Sequence, residues 1–207
     1  MEKKTATEEQ ILKAAEEVFL AKGFNATSTS EIARIVGCNQ ALVHYYYRTK
    51  EKLFAQIFTN KVNTMLRAFR NLTNPELTFI ERITSYISDY YDFLIANPRL
   101  PFFVLNELVM NGERRRFIRE NLMTDETFQQ IYYAFDASVR NAVDEGVIRQ
   151  IEPLDLLMTI VSMVVFVFIS LPVYCDLLAL SPDDKEAYLK RKKIEVTDLI
   201  LSSIQPK

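Results

Sequence analysis

Residues 39–45, Asn-Gln-Ala-Leu-Val-His-Tyr, put two carboxamides, an imidazole, a phenol and small apolar groups into one short stretch. If Val43 turns inward on a helix, Asn39, Gln40, Ala41, Leu42, His44 and Tyr45 are left facing outward. Amides and an imidazole can donate to and accept from base edges, and alanine or leucine can sit against a thymine methyl, so this is the chemistry of a helix that reads DNA. Catalytic chemistry is harder to assemble. His44 is the sole histidine, no glycine-rich phosphate loop is present, and no Cys/His/carboxylate set has metal-ligand spacing, so no enzyme, metal or cofactor is expected. Asp89, Asp92 and Glu107 are the carboxylates that an acid–base site would use, and exposed helix charge explains them better.

The elements that would position this reading surface are legible on either side. Ser28 can cap a helix whose Glu31 reaches back in a reciprocal box. Ala33 suits a close helix crossing, Gly37 a turn with positive φ, and Val43 packing between the two helices. Ile32, Val36, Cys38 and Tyr46 are expected to fill the remaining inward positions. Upstream, Thr7 and Gln10 can form a further capping box, opening a helix with Ile11, Leu12, Ala15, Val18 and Phe19 on one stripe that ends near Gly23. Downstream, Arg48 and Lys50 flank Thr49, which can cap a third helix whose N-terminal amides face a phosphate. The competing reading is an ordinary pair of amphipathic helices.

The run from Ile11 through Phe54 resembles the N-terminal domain of TetR/AcrR-type transcriptional regulators. Ala14-Ala15-Glu16-Glu17-Val18-Phe19, Lys22-Gly23-Phe24, Ala26-Thr27-Ser28, Glu31-Ile32-Ala33, Val36-Gly37-Cys38, Leu42-Val43-His44-Tyr45-Tyr46-Tyr47 and Lys50-Glu51-Lys52-Leu53-Phe54 follow the family's pattern in order and without gaps. The resemblance implies that Ser28 and Lys50 touch phosphates and that Gln40, Ala41, Leu42, His44 and Tyr45 lie in the major groove. Gln40-Ala41-Leu42 departs from the basic, small and hydroxyl residues common there, so the bases read do not transfer.

Charge alone does not point to nucleic acid: the chain carries a net −2 with pI near 5.6, so its basic groups are few but placed. A chain of 207 residues, 49% hydrophobic with only four glycines and long runs of helix formers, predicts an all-α protein with a real core. Met1-Glu2-Lys3-Lys4 leads into a charged amphipathic helix rather than an apolar signal segment, so a cytoplasmic location is expected. Cys38 and Cys175 are expected to be reduced packing residues.

The expected division is a helix-turn-helix domain over 1–52 and a helical effector-binding and dimerisation domain over 53–207. Leu53, Phe54, Ile57, Phe58, Val62, Met65, Leu66 and Phe69 form a stripe on a connecting helix that stops near Asn74-Pro75. Further helices are expected near 76–96, from Pro98 or Pro101 to 111, and over 125–145, 153–171 and 181–204. Residues 156–173 carry no charge, but polar interruptions and the lack of aromatic belts favour a core or subunit interface over a membrane span. On the last helix Leu189, Val196, Leu199, Ile200 and Ile204 are expected to join a four-helix dimer interface. The family resemblance also implies a ligand chamber, for which Tyr90, Phe93, Phe103, Asn106, Met110, Tyr133, Met163 and Phe166 are candidate walls suited to an apolar or aromatic effector with one polar handle. Arg114-Arg115-Arg116 with Arg119 reads as a solvated face. The expected function is a ligand-responsive repressor released from a palindromic operator. Its alternatives are a ligand-independent architectural DNA-binding dimer and a small helical enzyme.

Overall fold

A computed structural model describes residues 6–68, 74, 76–109, 112, 115–116, 119–120 and 126–206. The described residues are helical and contain no strand, and the chain divides into two compact units. The first comprises residues 1–64 and 103–112, the second 65–102 and 113–207. The expected boundary at residue 52 therefore falls inside a helix that the first unit holds as far as Thr64.

The first unit contains α1 (Ala6–Lys22), α2 (Thr29–Val36), α3 (Gln40–Tyr47), most of α4 (Lys50–Ala68) and the later residues of α6 (Leu100–Val109). Its core collects one face of each helix: Ile11, Ala15 and Phe19 from α1, Ile32 and Ala33 from α2, Val43 from α3, and Leu53 and Ile57 from α4. Around them Phe54 makes edge contacts with Phe19 and Phe24 at 5.3 and 5.2 Å and a tilted contact with Phe103 at 5.6 Å. Such ring pairs add specific geometry to apolar burial. Two expectations change here. Tyr47, not Tyr46, is the buried tyrosine of α3, and its hydroxyl donates to the Glu8 carbonyl at 3.1 Å. Burial and the neighbouring Glu8 push its phenol far above the ordinary range. Val36, Cys38 and Tyr46 stay half-exposed. α1 begins at Ala6, which places Thr7 inside the helix rather than at its cap.

The second unit is built from α5 (Phe79–Ala96), α7 (Glu126–Asp144), α8 (Pro153–Leu177) and α9 (Pro182–Ile204). α5 is the central helix, packing on α7, α8 and α9. It buries Ile83, Tyr86, Ile87, Tyr90, Tyr91 and Leu94. Thr78 and Glu81 close a capping box at its start, and Ser181 and Asp184 repeat the device on α9. α8 runs past the expected stop at 171 and carries Pro172 at an exposed position inside it, where the Phe168 carbonyl goes without its intrahelical amide donor. It is the one described helix long and apolar enough to cross a membrane, with a mean hydropathy of 2.6 over its best window. One side of it, including Leu156, Ile160, Val164 and Phe168, is buried within the unit.

Candidate nucleic-acid interface

The turn between α2 and α3 is fixed by three local devices. Ser28 caps α2, its hydroxyl accepting from the Glu31 amide at 3.2 Å. Glu31 does not complete the box expected of it and pairs instead with Lys22. Gly37 adopts φ 77°, and its amide donates back into the last turn of α2, so a left-handed residue is required where α2 ends. Asn39 caps α3, its side-chain oxygen accepting from the Leu42 amide at 3.0 Å. Asn39, expected among the base-contacting residues, thus has its side-chain oxygen committed to the helix start and keeps its amide hydrogens for other contacts.

On the outward face of α3, Gln40, Ala41, His44 and Tyr45 are exposed, Tyr45 at 67%, whereas Leu42 is half-buried. The polar members are not independent. Gln40 Nε2 donates to Thr29 Oγ1 at 2.9 Å and lies 3.3 Å from His44 Nε2. His44 Nδ1 lies 3.0 Å from the Arg48 carbonyl. A carbonyl can only accept, so Nδ1 carries the ring hydrogen and Nε2 accepts from Gln40. Both amide hydrogens of Gln40 are thereby engaged and its side-chain oxygen is left to face outward. Thr29 was not singled out in the sequence; its buried hydroxyl is visible as an anchor only once α2 and α3 are brought together.

The basic residues divide. Lys50 was expected at a phosphate, but its ammonium donates to the Thr27 carbonyl at 2.6 Å and sits 4.2 Å from the centre of the Phe24 ring. It ties the α1–α2 connection to α4. Arg48 is exposed and has φ 63°, and the Thr49 amide donates to the Tyr47 carbonyl at 2.6 Å across it. That is the strained γ-turn geometry, and it redirects the chain from α3 into α4. Thr49 caps α4 as expected, accepting from the Lys52 amide at 3.2 Å.

Glu107 is the largest departure from expectation. Read as exposed helix charge, it is only 5% exposed and accepts from the Phe24 amide at 2.9 Å. Gly23, at φ 74°, approaches so closely that a Cβ there would lie 3.2 Å from the Glu107 carboxylate. The end of α1 is thus held by a buried carboxylate on α6.

The candidate effector walls are divided between the two units. Phe103 belongs to the first unit's aromatic core, and Asn106 lies exposed beside Gly23. In the second unit Tyr90 is buried against Tyr86, Phe93 and Met163 are half-buried, and Tyr133 and Phe166 are exposed. Burial pushes the Tyr90 phenol up to about 12. Met110 and Arg114 lie outside the described residues. The expected dimer residues need a similar correction: Leu189, Val196, Ile200 and Ile204 are core side chains of the single chain, and only Leu199, 49% exposed, faces outward. α9 has two apolar faces, and the one bearing these four residues packs within the chain. The apolar residues left uncovered on α8 are Leu154, Met158, Phe166, Val173 and Leu177, with Ile194 joining Leu199 on α9. Among the described residues, no group of three or more metal-ligating side chains converges.

Three short helices with a capped, polar, outward-facing third helix define the helix-turn-helix class of DNA-binding domain. Residues 11–57 match the family described as bacterial regulatory proteins, tetR family. It is 33% identical over 116 residues to the transcriptional repressor NicS of Pseudomonas putida, covering 53% of this chain and 52% of that protein. It is 27% identical over 100 residues to the transcriptional regulator QacR of Staphylococcus aureus, covering 46% and 53% respectively. The chain therefore spans about half the length of these relatives. The fold extends further: a tetR-family regulatory protein from Rhodococcus RHA1 superposes with a TM-score of 0.73 at 21% identity, covering 99% of this chain and 100% of that one.

Proposed function

We propose that this chain is a cytoplasmic, one-component transcriptional repressor, a homodimer that holds a palindromic operator and releases it when a small apolar or aromatic effector binds the helical body. The observation that carries the reading is the ordered polar face of α3, where Gln40, His44 and Tyr45 are exposed and the first two are fixed through Thr29 and Arg48. A preorganised set of base-edge groups loses less side-chain freedom on docking. With its amide hydrogens engaged, Gln40 presents an acceptor, which suits the exocyclic amine of cytosine or adenine. Phosphates are left to Ser28, to the exposed Arg48 and to the amides at the start of α4.

NicS is named a repressor, which favours repression over activation here. Dimerisation is supported by the apolar stripe from Leu154 to Leu177 with Leu199 and Ile194, since so many large exposed side chains on two adjacent helices call for a partner surface. A membrane would need α8 apolar on every side and free of its packing within the unit. Half-sites of such a dimer fall about 34–36 Å apart, so any change in head spacing spoils simultaneous docking. Coupling is served by α6, which carries Glu107 to the Gly23–Phe24 turn and also belongs in part to the second unit.

Selection of random DNA by the purified protein, followed by footprinting, tests the reading. A palindrome with two equivalent protected half-sites is expected. Recovery of unrelated sequences with uniform affinity would leave only nonspecific binding.

A further inference from the structure

We propose that the helical body binds a small amphipathic carboxylate, whose charged end pairs with the Arg82 guanidinium and whose apolar tail lies between the start of α5 and the end of α7. The proposal rests on the effector reading above and names its ligand class. Its starting point is an unanswered cation. Arg82 lies in the first turns of α5, half-buried, with Nε shielded from solvent and without a hydrogen-bond partner among the described residues. The adjacent carboxylate, Glu81, is committed to Thr78, accepting from its amide at 2.8 Å and its hydroxyl at 2.7 Å. A guanidinium cannot lose its charge, and here its Nε–H is a shielded donor without an acceptor, which an oxyanion entering beside it would supply.

Arg82 lines a cavity of about 580 Å³, a size that suits a small molecule. The cavity is two-natured. Ile80, Ala134, Ala137 and Val147 give it an apolar wall with room made by the alanines, while Ser138 and Asn141 add uncharged polar groups. The opposing charge is Glu145, exposed beside the Gly146 turn. A lining that holds one arginine and one carboxylate disfavours a phosphate or a dianion, which would need several cations. A monoanion with an apolar tail satisfies Arg82 by a bidentate pair and leaves Glu145 to solvent.

Calorimetric titration of the full chain with octanoate and 4-phenylbutanoate, each beside its uncharged primary amide, decides the matter. At least one acid is expected to bind roughly tenfold or more tightly than its amide. Arg82→Gln should reduce that acid to the level of the amide, Arg82→Lys should recover part of the loss, and Glu145→Gln should tighten the acid. Equal affinity for acid and amide, unchanged acid binding in Arg82→Gln, or no acid binding at all would overturn the proposal; the acid–amide comparison needs no variant and so is independent of folding. Operator release is read separately. An amide that binds and releases DNA would sink the carboxylate site while keeping the effector reading, whereas an acid that binds through Arg82 without altering operator affinity would keep the site and sink that reading.

Discussion

The two units treat polar groups in opposite ways. In the head, nearly every polar side chain near the reading face has an internal partner: Gln40 on Thr29, His44 on Arg48, Lys50 on Thr27, Glu107 on Phe24. In the body, Arg82 Nε and the Tyr91 hydroxyl are buried without a hydrogen-bond partner among the described residues, and large apolar side chains lie uncovered along α8. On the proposed reading, a surface that must match a DNA duplex is finished within the chain beforehand. The open ends of the body are, on the same proposed reading, filled by a second subunit and a ligand.

The comparison breaks most visibly on α9, where adjacent residues have opposite surroundings. Ile200 is fully buried and Leu199 is half-exposed. Ile200→Arg would bury an unpaired guanidinium, at a cost of several kcal/mol, and should abolish cooperative folding of the body by circular dichroism. Leu199→Arg should leave the melting curve of each subunit's fold nearly intact while light scattering reports monomers and operator affinity collapses. If both variants unfold alike, α9 has no free face and the partner surface must be sought on α8 alone.

Glu107 comes next. Glu107→Ala leaves the partly buried Phe24 amide without the Glu107 acceptor, a loss of about 1 kcal/mol, and hydrogen exchange should show opening of the α1–α2 connection before the body. Glu107→Gln keeps an acceptor and should lose much less. Uniform loosening of both units in Glu107→Ala would show that this carboxylate does not act locally on the head.

Much of the head was legible because its determinants are local. Ser28, Gly37, Val43 and Thr49 do their work within a few residues of themselves, so spacing reveals them. Tyr46 and Tyr47 differ by one helical step of about 100°, a difference that periodicity resolves poorly when both neighbours are aromatic. Glu107 was illegible for another reason: its partner is 83 residues away. The same holds for Lys50, where a cation at a helix start beside a presumed phosphate looks identical in sequence to one bound over a phenyl ring. The body's aromatics gave composition without direction, and the assembled helices seal Tyr86 and Tyr91 while exposing Tyr133 and Phe166.

The division of labour on α3 and α4 yields a subtler test. Gln40→Ala should flatten base preference at one symmetric pair of operator positions, a change of about 1–3 kcal/mol in discrimination, without altering the salt dependence. Arg48→Ala should reduce the slope of log affinity against log salt by about one. Lys50→Met should change that slope little and instead lower head stability by about 1 kcal/mol through the lost hydrogen bond and ring contact. A slope change in Lys50→Met as large as in Arg48→Ala would mean that its ammonium leaves Thr27 to meet a phosphate.

The smallest expected effect belongs to the two capping boxes of the body. Hydrogen bonds from Thr78 hold the Glu81 carboxyl below its ordinary value of 4.5, and Ser181 holds Asp184 below 3.8. A depressed folded-state pKa means that each carboxylate contributes stability above its unfolded value and loses it as pH falls through the folded one. The body should therefore weaken slightly on acidification, beginning below pH 4.5 for α5 and below 3.8 for α9. Both carboxylates are solvent-exposed, so the change is modest and best followed by carbon-detected titration of the side chains rather than by melting. Thr78→Val removes the hydroxyl that accepts from the Glu81 amide and donates to its carboxylate, and should return the Glu81 carboxyl toward its ordinary value. The lost cap itself should cost about 1 kcal/mol at neutral pH. An unmoved Glu81 titration in Thr78→Val would mean that the backbone amide alone sets its acidity and that the box is not reciprocal in solution.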